Sequence, residues 1–523
     1  MNHRLHSYLF LMNARISSPC RPAVWLRRSL QWIAPGLVAI AAVAAELPIP
    51  DRPEKLTFAP LNYEPPDPRV SRVVLKAGPV AYVVPDRELP LVNIVVHVRV
   101  GEYVDPQGKE GLSGLAGHLL VRGGSASKSA EELEERLAFL AASLNSSVHE
   151  SKGTISLNLL SKDLDEGLAL LREALTAPRF QQDKLDLLRQ QQLQAMKQRN
   201  DDSSDIEDRE REALSYGEKF WLNRLDTQAS IEAVTRDDLA AYHKRWFHPA
   251  NFLVAASGDF DRDAMVAKLE TLFTAWPFQG EAGPAVPADL EFAAPGLYIV
   301  DKDVNQGRVA VLLPGILRTS PDNYAIALMN MILGGGGFTS RIMNRVRSDE
   351  GLAYSAFSMF RGGVYYPTPF HAGFQSKSRT VAYATSIVLE EMKRIAQEPV
   401  GDEELETAKR AFIDNLPRRF TTKANVADAF IDEEFTGRFA KEPDFWKNYR
   451  TKIQAITKED VLRVAKKYLD PKRVAVLVVG QKAEILKGNP EHPVDFPALL
   501  GGRVVDLPLR DPLTLKPLNV ENK

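Results

Sequence analysis

The chain of 523 residues has a single cysteine, Cys20, close to its amino terminus. Once cut beyond that point it has no thiol, which excludes a disulfide framework, a cysteine nucleophile and a Cys-ligated zinc site. It also lacks an excess of charge: Lys+Arg 66 against Asp+Glu 68 gives a net charge of −2. A global basic footprint for nucleic acid is therefore absent. No stretch outside the amino-terminal segment approaches the ~18 consecutive apolar residues of a membrane-spanning helix. Disorder is excluded as well, because 44% of the residues are hydrophobic and 26% charged. The length exceeds one compact domain and predicts about two to four.

Residues 1–45 contain five arginines (Arg4, Arg15, Arg21, Arg27, Arg28) and no acid. The apolar run Trp32–Ala45 follows Arg27 and Arg28 and ends in Val43-Ala44-Ala45 before Glu46. A basic flank, a short apolar core and small residues at −3 and −1 form the pattern of a secretory signal. The expectation is an exported, periplasmic protein with residues 1–45 as signal peptide; the alternative is a membrane anchor made by an uncleaved signal. A Pro-rich leader, 46–69, reads as extended chain.

The most informative feature is a unit written twice. Ile231–Leu239 (IEAVTRDDL) matches Ile453–Val461 (IQAITKEDV) at an offset of 222 residues, and His248-Pro249 matches Asp470-Pro471 at the same offset. Apolar strands follow both: Asn251–Gly258 (NFLVAASG) and Arg473–Gly480 (RVAVLVVG). Thr235 and Thr457 read as helix N-caps, since the hydroxyl oxygen can accept from a free backbone N–H. A period of this length suggests two duplicated domains, 70–275 and 297–482. Between them lies a linker, 276–296, carrying Pro277, Pro284, Pro287 and Pro295. A Pro-rich tail, 483–523, follows. Strand patterns at Val80–Val84, Val92–Val100, Thr154–Leu160, Leu297–Val300 and Arg308–Leu313 alternate with blocks of helix, which indicates α+β with antiparallel sheet. The charged stretch Asn200–Glu212 reads as a solvated loop and helix start.

One segment in each half bears on chemistry. Gly111–Leu120 (GLSGLAGHLL) precedes Val121-Arg122-Gly123-Gly124, and Leu333–Arg341 (LGGGGFTSR) precedes Arg347–Ser355 (RSDEGLAYS). With the duplication, these segments resemble the insulinase/pitrilysin family of zinc peptidases, including the processing-peptidase type. The resemblance covers about residues 70–482. It implies two duplicated α/β-roll domains that together form one half of a clamshell. It also implies an inverted zinc motif, His-x-x-Glu-His on a helix, with a further Glu roughly 75 residues on. His at i and i+4 puts both imidazoles on one helix face, with Glu beside them as general base for the zinc water.

In this chain that chemistry is missing. Gly114 stands at the first His position, Gly117 at the Glu position, and only His118 remains. Leu187–Gln198 contains no acid. His118 then reads as a partly buried helical histidine without a ligand role. His243 and His248 are five apart and do not face together on a helix.

The second segment is similar to the family's substrate element. The resemblance implies that Arg347 and Tyr354 bind the substrate near its scissile carbonyl, and that the glycine-rich loop Gly334, Gly335, Gly336 and Gly337 touches peptide. A guanidinium and a phenol both suit an oxygen that becomes negative. Structural alternatives stand beside these roles. Arg347 can serve as a helix-end cation near Asp349, Tyr354 as an aromatic of a half-buried strand, and the glycine run as a helix stop. The resulting expectation is a non-catalytic, substrate-binding subunit of an exported zinc-dependent peptidase. It has no cofactor of its own and pairs with a zinc-bearing subunit to cleave peptides. A catalytically dead scaffold of the same fold is the main alternative, and a stand-alone metallopeptidase with a rearranged site the other.

Overall fold

The computed structural model describes residues 51–52, 55–56 and 63–518. The expected signal peptide, Cys20 and most of the leader lie outside the described residues. Residues up to Asn62 form a separate unit from Tyr63–Lys523; within the first, Lys55 pairs with Asp51 at 2.7 Å. Among the described residues no helix is long and apolar enough to cross a membrane. Five residues into the second unit, Pro68 starts a one-turn helix, Pro68–Ser71, instead of continuing extended. Proline fits there because the first helical N–H has no intrahelical acceptor, and Asp67 caps the turn.

Two six-stranded sheets carry the fold. The first contains β1 (Arg72–Val74), β2 (Val80–Pro85), β3 (Leu91–Val98), β4 (Ser143–His149), β5 (Lys152–Leu160) and β6 (Phe252–Gly258), in the order β1-β2-β6-β3-β5-β4. The second contains β7 (Gly296–Asp301), β8 (Gln306–Ile316), β9 (Ala353–Met359), β10 (Thr368–Lys377), β11 (Ala475–Gly480) and β12 (Val504–Leu507), in the order β12-β7-β11-β8-β10-β9. The architecture is α+β, and the sheets are mixed instead of wholly antiparallel. β6 inserts between β2 and β3, parallel to β2. β11 inserts between β7 and β8, parallel to β7. These strands return after long helical crossovers, the connection that parallel neighbours require. The tail supplies β12, a second parallel neighbour of β7.

Helices cover the sheets. In the first half these include α1 (Leu112–Arg122), α2 (Ala130–Phe139), α3 (Gln182–Lys197), α4 (Ser203–Tyr216) and α5 (Arg236–Trp246). In the second half they include α6 (Lys423–Phe435) and α7 (Lys458–Tyr468). Thr235 and Thr457 cap α5 and α7 with the same reciprocal pair of bonds. Each hydroxyl accepts from the backbone N–H of Asp238 or Asp460, and that aspartate accepts from the threonine N–H. Every residue of β6 and β11 is buried, which requires cover on both faces.

That cover is exchanged between the halves. α4 lays Ile206 and Leu214 on Tyr298, Ala310, Leu312 and Leu477 of the second sheet. α6 lays Val426, Ala427 and Phe430 on Tyr82, Leu253 and Ala255 of the first. The charged stretch expected in solvent is therefore a seam helix. Its acids meet cations of the second half and tail: Arg308 bonds Glu207 at 3.1 Å and Arg510 bonds Glu210 at 2.9 Å. On the other side of the exchange, Glu434 of α6 accepts from Arg72 at 2.9 Å and from the Tyr82 hydroxyl at 2.8 Å.

Candidate functional site

The α1 helix begins at Gly111, whose φ of 95° only glycine adopts without strain. Its amino end is held by the buried Asp105 carboxylate, which accepts from the Gly111 N–H (3.1 Å), the Ser113 N–H (3.0 Å) and the Ser113 hydroxyl (3.0 Å). Burial outweighs these bonds and pushes the Asp105 carboxyl up to about 7. Leu112, Leu115, Ala116, Leu119 and Leu120 face the core. The remaining face meets the edge strand β4, where the Ser146 hydroxyl donates to the Gly117 carbonyl at 2.6 Å.

This contact decides what residue 117 can be. A Cβ on Gly117 would lie 2.8 Å from Val148 Cγ2 and 2.9 Å from the Ser147 carbonyl carbon, and closer still to the Val148 backbone nitrogen. The point where the inverted motif places its glutamate is filled by strand backbone. Gly114 differs: a Cβ there meets nothing within 4 Å. His118 is exposed, not partly buried. Its ring edges a cavity of about 410 Å³ between α1, α2, α3 and β4, lined also by Arg122, Glu131, Lys184 and Gln191. The cavity wall, and then the Arg122 guanidinium one turn on, hold the imidazole below its usual value although one edge reaches solvent.

These residues do not fit a catalytic zinc, which takes about three protein ligands. The site offers one imidazole and side-chain amides, and its two carboxylates are taken by cations, Glu131 by Lys184 and Glu134 by Arg122 at 3.6 Å. Among the described residues no group of three or more His, Cys, Asp or Glu side chains could hold a metal ion. The other two histidines named above are spent on structure. His243 Nε2 bonds the Leu175 carbonyl at 2.8 Å, and His248 lies buried beside Asn251.

In the second half, the helix Asn323–Asn330 continues as a widened turn, Met331–Gly335. The glycine run does more than stop a helix. A Cβ on Gly334 would meet the β9 residue Ser358, 2.6 Å from its Oγ and closer still to its backbone nitrogen. Only Gly337 of the four has a positive φ, 59°. Gly334 stands to β9 as Gly117 stands to β4, each at the closest approach of a helix to an edge strand.

Beyond the glycines, Ser340 precedes a short helix in which buried Arg341 makes two bonds of 2.7 Å with Glu404. Arg347 closes the next turn and donates from Nη1 to the Tyr354 carbonyl at 2.8 Å. Its guanidinium lies 4.7 Å from the Phe338 ring centroid and 4.5 Å from that of Tyr354. Phe338 is 64% and Tyr354 85% exposed, so two rings sandwich a cation at the surface. Arg347 is not the partner of Asp349; Arg345 faces that acid at 3.9 Å and Glu391 at 3.6 Å. Tyr354 also lines a cavity of about 550 Å³ with Arg308, Phe357 and Lys377. The structure thus joins Arg347, Tyr354 and the glycine loop in one surface cluster. That cluster and His118 line different cavities. The sequence reading missed Phe338, whose only signal is an aromatic following four glycines.

Comparison with known proteins bears on the family and the fold. Residues 83–218 match the family described as insulinase (peptidase family M16), and residues 233–412 match the peptidase M16 inactive domain. The non-peptidase homolog YmxG of Helicobacter pylori is 27% identical over 343 residues, 64% of this chain and 77% of that protein. An uncharacterized zinc protease, SCO5738 of Streptomyces coelicolor, is 23% identical over 327 residues, 59% of this chain and 68% of that protein. The solved peptidase M16 inactive domain from Pseudomonas fluorescens has the same fold, with a TM-score of 0.70 at 22% identity over 78% of this chain and 97% of that one. So does the periplasmic protease PqqL from Escherichia coli, with a TM-score of 0.66 at 17% identity over 83% of this chain and 48% of that one. The two family models follow each other in order and together span more than half of the chain, so this protein belongs to the insulinase family, peptidase family M16.

Proposed function

We propose that this chain is a non-catalytic, peptide-binding subunit that works beside a zinc-bearing member of the same family in an exported peptidase. One observation carries the reading. At residue 117 the backbone of β4 occupies the place of the general base, so the catalytic helix is packed as a structural helix. The Arg347–Tyr354 pair, by contrast, carries donors suited to a peptide carbonyl, with Tyr354 and the outer glycines Gly335 and Gly337 exposed and Arg347 half-buried between its rings. The chain corresponds to about half of the PqqL protease, so a second chain of like size would complete a protein of that length. The arginine-flanked run ending at Ala45 supports export.

The stacking of Arg347 between two rings, with one of its five N–H groups bonded to a carbonyl of its own chain, favours a second reading, a scaffold that kept the fold alone. Purification from the native source separates the two. The expected result is co-purification with a chain bearing an intact His-x-x-Glu-His, and peptide hydrolysis by the pair but not by this chain. Stoichiometric zinc ligated by His118 in the isolated chain, or hydrolysis by it alone, would overturn both readings. A pair whose hydrolysis is insensitive to Arg347→Ala would leave the scaffold.

A further inference from the structure

A third cavity, of about 500 Å³, opens where the halves meet. Its walls are the carboxyl-terminal turn of α4, the β4–β5 turn, the β9–β10 connection and the end of α6. Glu212 of α4 lies half-buried in it; its carbonyl accepts from Asn223, but its carboxylate, unlike those of Glu207 and Glu210 of the same helix, makes no hydrogen bond or ion pair among the described residues. The rings of Tyr216 and Tyr366 stand beside it, edge to face with centroids 5.4 Å apart. The Nε2 atom of His371 is buried in the same wall without a hydrogen-bond partner. It lies 3.8 Å from the Glu207 carboxylate, and burial, with Arg211 and Arg308 nearby, holds the imidazole well below its usual value.

A carboxylate without an ion-pair partner, beside an aromatic wall in which Tyr216 and Tyr366 are braced by Phe220 and Trp221, is a receptor for a cation with an apolar stem. A metal ion does not suit it, since these side chains are not grouped for coordination. Three cations also line the cleft: Arg211 is held by Glu207 and Asp208, Lys152 is held by Asp432, and Arg361 stands at the exposed rim; an anion would still face Glu212 and Glu150 together. We propose that this cleft binds a protonated aliphatic amine, with Glu212 as its counter-ion and the rings of Tyr216 and Tyr366 along its alkyl stem. Ammonium groups are attracted to ring faces as well as to carboxylates. The amine can come from two sources, a free diamine or the lysine side chain of a peptide. The inference stands apart from the proposed pairing with a zinc-bearing chain.

Titration calorimetry on the full chain tests it, with 1,5-diaminopentane, Nα-acetyl-lysine N-methylamide and pentanoate as probes at pH 8. Saturable one-site binding of an amine is expected, with pentanoate inert. Glu212→Gln should weaken binding about 10-fold or more, the usual scale for losing a charged hydrogen-bond partner. The preferred amine then names the source: tighter binding of the diamine marks a free amine, tighter binding of the lysine amide a peptide.

A second measurement needs no variant. The groups around Glu212 are Arg211, Asp208 and Tyr216 on its own helix, Glu102 and Glu150 of the first half, and Tyr366 across the seam, with Lys152, Arg361, His371 and Asp432 further along the cleft wall. Burial, aided by Glu150, Asp208 and Glu102, pushes the Glu212 carboxyl up to about 7. An alkyl ammonium stays charged throughout, so affinity should fall about 10-fold between pH 8 and pH 6, as a group titrating near 7 takes up its proton. No saturable amine binding, equal affinity in Glu212→Gln, pentanoate binding as well as the amines, or affinity flat across this range would each overturn the proposal.

Discussion

Replacing Gly117 by alanine adds one methyl at the closest point between α1 and β4. The new Cβ would sit 2.8 Å from Val148 Cγ2 and nearer to the Val148 backbone nitrogen, so helix and strand must separate. Overpacking of this kind costs about 1–3 kcal/mol. Separation also stretches the 2.6 Å bond from Ser146 to the Gly117 carbonyl, worth about 0.5–1.5 kcal/mol. Against this, alanine in a helix interior is favoured over glycine by roughly 1 kcal/mol. The net loss is about 2 kcal/mol. Gly114→Ala on the same helix meets no atom within 4 Å and keeps only the propensity gain, about 1 kcal/mol in the other direction. Urea unfolding of the two variants beside the parent measures both. A Gly117→Ala chain as stable as Gly114→Ala would refute the claim that strand backbone fills the general-base position.

Three other outcomes are expected. In a verified complex with a zinc-bearing partner, Arg347→Ala or Tyr354→Phe should leave assembly unchanged and lower turnover by on the order of 10²-fold, the scale of losing one oxyanion donor. The double variant should cost less than the product of the singles, because residues acting as a unit are non-additive. Amino-terminal sequencing of the native protein should begin near Glu46; an intact Met1 in a membrane fraction would favour the anchor. Glu212→Gln should change stability with pH in a definite direction. Burial moves the folded-state carboxyl up to about 7, above the ordinary glutamate value of 4.5, so the folded chain holds the extra proton between these values. The stability this contributes is complete below about 4.5 and is lost as pH rises through 7. Denaturation curves should then show the variant more stable than the parent at pH 8 and equal to it near pH 4, and the opposite order would refute the assignment.

What was legible in the sequence followed local periodicity. β5 alternates strictly and β3 does so until its last three residues, which are all buried, and the paired capping threonines announce α5 and α7. β4 escaped notice because an edge strand facing solvent needs little apolar content: of Ser143–His149 only Leu144 and Val148 are buried. α6 escaped for another reason. Its apolar residues Val426, Ala427 and Phe430 face a sheet built some 170 or more residues earlier in the other half, and nothing in a local pattern names a distant partner. The acids of α4 were misread on the same account, since a charge paired across the seam looks in sequence like a charge in water. At the site, residue types showed that ligands were missing. Only packing showed that Gly117 is held to glycine while Gly114 is not.

The glycines also show how far the first half has departed from a zinc site. In each half a helix runs against an edge strand, β4 or β9, and in each a glycine stands at the closest approach, Gly117 or Gly334. The inverted zinc motif needs a glutamate at the first of these points. Here both halves carry glycine, so they have become alike at the place where catalysis requires them to differ. Substituting Gly114→His and Gly117→Glu therefore does not rebuild a site. The histidine has room, but the glutamate must displace the backbone of Val148, and α3 offers Gln191 in the cavity wall where an acid would be needed. The double variant should unfold more easily than the parent, by at least the loss expected for Gly117→Ala, and should acquire no tightly bound zinc by metal analysis after mild chelation. One zinc per chain retained by that variant would show that α1 can rise from β4 at little cost, and that the loss of the metal site in this protein is shallow.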